Sequence, residues 1–223
     1  MENRPRGIFG SSLLLGGVGE RALSKRLDSL ARGIIPTSTH YALLQRLALG
    51  RGVVAELGTH LGNSAIALLS GLPKSVITVD RIERANRQLL EDLALENSVE
   101  LAYLIVDSLQ VRLPKVELLF LDTKHTYSQV SRELERHQNS VERYLVIHDT
   151  ELYGRVGESA DPEDYLQGTV NGRPEGHDPD DPGVMLAIEE FLRANSDWTL
   201  CERDRGYLGY VVLERRELEV SNG

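Results

Sequence analysis

The stretch Val53-Val-Ala-Glu-Leu-Gly-Thr-His-Leu-Gly-Asn-Ser64 limits what this chain can fold into more than any other. It opens with a short apolar run carrying two valines, which suits a strand buried on both faces. Gly58 and Gly62 break the run, Asn63 or Ser64 can cap a helix, and Ala65-Ile-Ala-Leu-Leu69 supplies that helix. Strand, glycine turn and helix start together form a cradle. The missing side chains let a ligand approach the backbone, and the helix start offers unpaired N–H groups. A second apolar strand, Ser75-Val-Ile-Thr-Val79, ends in Asp80, about twenty residues past the turn. An acid there can accept hydrogen bonds from both hydroxyls of a ribose.

Strands and helices alternate on both sides of this unit. Before it, Leu23, Leu27 and Leu30 give helical spacing over Arg21 to Ala31, and Leu43, Leu44 and Leu47 give it over His40 to Leu49. After it, Ile82 to Glu96 and Tyr127 to Gln138 read as helices. Leu101 to Val106, Val116 to Leu121 and Tyr144 to Ile147 read as strands. This rhythm implies parallel crossover units: an α/β, Rossmann-like, doubly wound, mostly parallel sheet. Val184 to Ala194 is again helical, and Trp198 to Glu202 and Tyr207 to Leu213 flank Asp204-Arg-Gly206 as a C-terminal antiparallel hairpin. Ligands in such sheets bind beyond the carboxyl ends of the strands, where Asp80, Asp107, Asp122 and Asp149 all fall.

A length of 223 residues suits a single domain, 1–223, with an N-terminal arm and helix over 1–35 and an acidic, Gly/Pro-rich loop over 154–183 on the substrate side. The arm reads equally as a flexible segment, a lid or a homo-oligomer contact. The net charge of -9 argues against a nucleic-acid partner. No stretch is apolar for long enough to cross a membrane, and the single Cys201 precludes an intrachain disulfide; the expected location is the cytoplasm. His40 and His137 fall on helices and read as surface, His177 falls in the acidic loop, and Phe191 and Trp198 read as core.

The glycine turn reads Glu56-Leu-Gly58-Thr-His-Leu-Gly62, or E-x-G-x-x-x-G, and lacks the third glycine of a dinucleotide fingerprint. It resembles the first motif of class I S-adenosylmethionine-dependent methyltransferases. The resemblance implies that Asp80 holds the ribose, that Glu56, Gly58 and Gly62 lie at the methionine end, and that Asp107 or Ser108 meets adenine, although Asp107-Ser108 reads as readily as a simple Asx-turn. His60, Asn63 and Ser64 lie in the same cradle as further cofactor contacts.

A second constellation, Leu119-Phe-Leu-Asp122-Thr-Lys-His125 followed by Tyr144-Leu-Val-Ile-His148-Asp149-Thr150, resembles the branch of cephalosporin-hydroxylase-like and macrolide-sugar O-methyltransferases. That resemblance implies a divalent metal, magnesium or manganese, on Asp122, Asp149 and the residue at 148, with His125 as general base. His148 departs from the pattern, standing where a glutamate is expected. Imidazole suits manganese, iron or zinc better than magnesium. The implied enzyme transfers a methyl from S-adenosylmethionine to the hydroxyl of a small molecule, a sugar or secondary metabolite. Such a hydroxyl is a poor nucleophile at neutral pH and gains from a base or a metal. The alternatives are an S-adenosylmethionine-binding accessory protein without methyl transfer and a nicotinamide-dependent oxidoreductase using the same kind of cradle.

Overall fold

A computed structural model describes residues 39–159, 177–178, 180–206 and 208–216. The expected arm and helix over 1–35, and the 160–176 portion of the acidic loop, lie outside the described residues.

The elements run α1 (Thr39–Ala48), β1 (Val53–Leu57), α2 (Asn63–Ser70), β2 (Ser75–Asp80), α3 (Arg87–Asn97), β3 (Glu100–Ile105), β4 (Val116–Leu121), α4 (Tyr127–His137), β5 (Val141–His148), β6 (Gly157–Glu158), β7 (His177–Asp178), α5 (Val184–Ala194), β8 (Trp198–Asp204) and β9 (Tyr210–Arg215). The main sheet has seven strands in the order β3-β2-β1-β4-β5-β9-β8. β1 pairs in parallel with both β2 and β4, and β9 runs antiparallel between β5 and β8. The doubly wound, mostly parallel sheet with an antiparallel C-terminal hairpin is therefore present. β6 and β7 pair separately as a two-stranded ribbon.

Alternation along the central strands divides the core in two. Val54 of β1, Val76 of β2 and Leu118 and Phe120 of β4 face α1, α2 and α3. Ala55 and Leu57, with Ile77, Val79, Leu119 and Leu121, face Val130 and Leu134 of α4 and Ile188 and Phe191 of α5. Side chains of successive strand residues point to opposite faces, so apolar runs such as Val116–Leu121 load both faces at once. Phe191 and Trp198 are core residues whose rings lie 5.9 Å apart.

Local chemistry sets the helix starts. Thr126 caps α4 by accepting from Gln129 N at 3.2 Å, and Asn86 caps α3 by accepting from Leu89 N at 3.1 Å. The helix expected from Ile82 begins only at Arg87; the chain before it turns, with Asp80 Oδ1 accepting from Ile82 N at 3.1 Å. The cap of α2 is Gly62, not Asn63 or Ser64. Gly62 adopts φ 88°, a left-handed conformation, and its side-chain-free cap makes no hydrogen bond to the helix start.

Candidate active site

The carboxyl ends of β1 to β5 open on one cleft of about 880 Å³. Its lining includes Gly58, His60, Asp80, Asp107, Ser108, Asp122, His125, His148 and Asp149, which unites both sequence constellations in one place. Glu56, Gly62, Asn63 and Ser64 are not among the lining residues. Glu56 is fully buried behind the cradle with Thr78 donating to its Oε1 at 2.5 Å. Burial pushes its carboxyl up to about 7, against the opposing hydrogen bonds from Ser64 and Thr78.

The cradle loop is held from below. Asp80 Oδ2 accepts from His60 N at 2.8 Å, and Gly58 N donates to Val79 O at 2.8 Å. Gly58 has φ 98°, and a Cβ there would lie 1.9 Å from the carbonyl oxygen of Asp122. Only glycine meets both demands. His60 itself has φ 45°, so the loop stores strain at the mouth of the site. Asp107 forms the Asx-turn expected as one of its two readings, accepting from Leu109 N at 2.8 Å, while still lining the cleft. Ser108 is fixed by Gln129, which donates to its Oγ at 3.1 Å, and by His137, whose Nε2 meets its carbonyl at 2.8 Å.

Across the cleft, Asp122, His125, His148 and Asp149 form a compact cluster. One ligand atom from each lies within 4.8 Å of all the others. Asp122 Oδ1 is 3.1 Å from His125 Nε2 and 3.2 Å from His148 Nδ1. Asp149 follows β5 at φ 56°, a conformation that Asp tolerates better than most residues, and its Oδ2 lies 3.5 Å from His125 Nε2. Burial opposes ionisation of Asp122, but hydrogen bonds from both imidazoles outweigh it and hold the carboxyl well below the usual carboxylate range. Burial alone would lower His125; its bonds to Asp122 and Glu158, with the charge of Asp149, push it up instead to about 10. Asp149 moves the other way from Asp122: burial dominates and raises it.

Several partners in this site carry no local sequence signal. Glu158, from the β6–β7 ribbon, accepts from His125 N at 2.8 Å and lies 3.2 Å from His125 Nδ1, while its own N donates to His125 O. Tyr153 stacks on the His125 ring, 5.2 Å between centroids and 9° from parallel. His40 is half-buried; its ring lies 4.5 Å from that of His148, and burial with the neighbouring His148 charge lowers it to about 4. His137 is buried too, its pKa lowered by that burial. For His137 the surface reading fails because a helix pattern dominated by charge hides a polar residue turned inward; for His40 the contact comes from β5, distant in sequence. The side chain of His177 lies outside the described residues.

The match to known families is confined to this region. Residues 55–150 match the family described as a methyltransferase domain. The match spans less than half of the chain and marks these residues as similar to a methyltransferase domain. No curated protein matches the chain. Among solved structures, an O-methyltransferase from Bacillus cereus in complex with S-adenosylhomocysteine is 19% identical, with a TM-score of 0.54 over 88% of this chain and 91% of that one. TomG, an O-methyltransferase from Streptomyces achromogenes involved in tomaymycin synthesis and in complex with S-adenosylmethionine, is 18% identical, with a TM-score of 0.51 over 88% and 90%. An rRNA methylase from Streptococcus thermophilus is 16% identical, with a TM-score of 0.52 over 82% and 97%. Such identities speak for the fold, and the neighbours' acceptors differ in kind. Among the described residues, no helix is long and apolar enough to cross a membrane.

Proposed function

We propose that this chain transfers a methyl group from S-adenosylmethionine to a hydroxyl of a small molecule, with a divalent ion at the Asp/His cluster. The observation that carries the reading is that Asp80 and the Asp122–Asp149 cluster line one cleft, large enough for a donor and a modest acceptor together.

The residues fit the cofactor. Asp80 is already aligned by His60 N and Ile82 N and keeps lone pairs for the ribose hydroxyls. The absent side chain at Gly58 would let the methionine end approach the backbone, and Asp107 and Ser108, which line the same cleft, would meet the adenine. Glu56 would act from behind the loop by fixing Thr78 and, through it, Thr59. The sulfonium supplies the leaving group, so the protein's share is chiefly to orient donor and acceptor and to exclude water.

The residues also fit a divalent ion. Asp122, His148 and Asp149 converge, and Asp149 Oδ1 is buried without a hydrogen-bond partner. When bound, the ion would lower the pKa of the acceptor hydroxyl. His125, expected as the base, carries its proton at neutral pH while Asp122 and Glu158 hold it. Were Asp122 and Asp149 engaged as ligands, they would hold the His125 proton less tightly and the neutral ring would be favoured.

Methyl transfer from labelled S-adenosylmethionine tests the reading, with panels of sugar, aliphatic and aromatic hydroxyls set against amines and RNA and with Mn²⁺ or Mg²⁺ added. Turnover on hydroxyls supports it. Cofactor binding with no turnover on any acceptor points to an accessory protein, and turnover confined to amines or RNA overturns the O-methylation.

A further inference from the structure

The cluster contains one more donor than the resemblance assigns to a metal. We propose that His125 is itself a ligand, completing a centre of two imidazoles and two carboxylates that takes a borderline divalent transition metal, such as Co²⁺, Zn²⁺, Mn²⁺ or Fe²⁺, in preference to Mg²⁺. The inference deepens the function proposed above and rests on it only for the use of the centre in methyl transfer.

Three observations carry it. First, the four donor residues come from two strand ends, Asp122 and His125 after β4 and His148 and Asp149 at the end of β5, yet their ligand atoms fall within 4.8 Å of one another. Sequence separation does not force this; the β4–β5 pairing, Leu121 against Ile147, does. Second, His125 is oriented as a ligand and not as a free base. Glu158 Oε2 faces its Nδ1 at 3.2 Å and also takes its backbone N–H at 2.8 Å, which fixes the orientation of the ring. Its Nε2 is the nitrogen turned into the cluster, 3.1 Å from Asp122 Oδ1 and 3.5 Å from Asp149 Oδ2, where it would exchange a proton for an ion. A carboxylate holding the far nitrogen of an imidazole is the usual support for a metal-bound histidine. Tyr153, stacked on the ring, removes its remaining freedom to turn. Third, Asp149 is 9% exposed and its Oδ1 is buried with no hydrogen bond, although His148 Nδ1 lies 3.2 Å away. An unpaired buried carboxylate oxygen aimed into a set of donors is costly unless something positive completes it.

The donor chemistry decides the class of ion. Two carboxylates balance the charge of a divalent ion, and two neutral imidazoles can join without adding charge. Magnesium holds to oxygen ligands and its own waters, whereas imidazole suits the later first-row ions. His148, the one departure from the acidic pattern, is therefore the residue that shifts the preference, and His125 reinforces it. As a ligand, His125 is no longer available as the base.

The test uses the full chain, stripped with a chelator and titrated separately with CoCl₂ and MgCl₂, read by the visible absorption of bound Co²⁺ and by the thermal midpoint. The expected result is a Co²⁺ spectrum of low coordination number with nitrogen ligands and a midpoint raised by Co²⁺ but not by Mg²⁺ at the same concentration. His125→Gln should weaken Co²⁺ binding by about a hundredfold and alter the spectrum. Glu158→Gln should weaken it by roughly 10- to 100-fold with the spectrum retained, the behaviour of a positioning residue, and it reads the inference even where His125→Gln does not fold. Three results overturn the inference: equal stabilisation by Mg²⁺, no binding of Co²⁺, or parent-like Co²⁺ affinity in both variants. Binding of S-adenosylhomocysteine to the ion-free protein reads the methyltransferase assignment separately, so the two ideas fail independently.

Discussion

Gly58 and Asp122 touch backbone to backbone: a Cβ on the glycine would sit 1.9 Å from the aspartate's carbonyl oxygen. The glycine belongs to the cradle after β1 and the aspartate to the cluster after β4, and the two strands pair directly, Leu57 beside Leu121. The cradle and the cluster are thus joined through directly paired strands. Asp122 N donating to Leu57 O at 2.9 Å reinforces the joint.

That contact makes Gly58→Ala a severe change. The new methyl must displace the Asp122 carbonyl, and φ 98° is strained for any L side chain. We expect a loss of about 3 kcal/mol in stability, from overpacking together with backbone strain. Binding of S-adenosylhomocysteine should weaken in parallel. Urea unfolding and calorimetric titration of one preparation measure both.

Glu56→Gln should change the pH dependence of stability. Burial raises the folded-state pKa of Glu56 from 4.5 to about 7, so the folded protein holds this proton more tightly than the unfolded chain does. The stability linked to that proton is full below pH 4.5 and is lost as pH rises through 7. Glutamine carries no such proton. Relative to the parent, the variant should gain on the order of 3 kcal/mol between pH 4.5 and 8, at about 1.4 kcal/mol per pKa unit. Unfolding curves taken across that range check the trend, and a flat difference would contradict it.

Asp80→Ala should cost affinity for S-adenosylhomocysteine roughly tenfold to a hundredfold, the worth of charge-assisted hydrogen bonds to two hydroxyls. Because Asp80 also takes the N–H groups of His60 and Ile82, a small drop in thermal midpoint should accompany it. Asp80→Asn, which keeps one acceptor oxygen, should fall between parent and alanine in calorimetry.

His137→Ala should act on stability and on the Ser108 side of the cleft, not on the cluster. The imidazole is buried, and only the tautomer with hydrogen on Nε2 can donate to the Ser108 carbonyl 2.8 Å away. Its removal should cost about 2 kcal/mol. Burial holds His137 below its ordinary value of 6.5, so its contribution is present above that pH and is lost as pH falls below it. The parent's stability should therefore drop more steeply under mild acid than the variant's.

Much of this molecule is legible in its sequence because apolar runs in a parallel sheet have little freedom. Val116–Leu121 and Val184–Ala194 occupy the expected residues, and the strand-end acids Asp80, Asp107, Asp122 and Asp149 share one cleft. Local pattern reading fails where distant chain decides. The start of α3 moves to Arg87, where Asn86 supplies the cap by accepting from Leu89 N. Glu133 and His137 are buried on a helix whose composition reads as solvated, each satisfied by partners from elsewhere, Thr123 and Ser108. Glu158 and Tyr153 reach His125 only through the ribbon and the turn after β5, and no spacing near either residue announces that contact.

The central claim is that one cleft serves a sulfonium donor on one side and a hydroxyl acceptor at the Asp/His cluster on the other. A crystal structure with S-adenosylhomocysteine tests it most directly. The account predicts the ribose on Asp80, the homocysteine end against Gly58, and the sulfur turned toward Asp122 and Asp149. A nucleoside bound away from Asp80, or a sulfur facing away from the cluster, would contradict it.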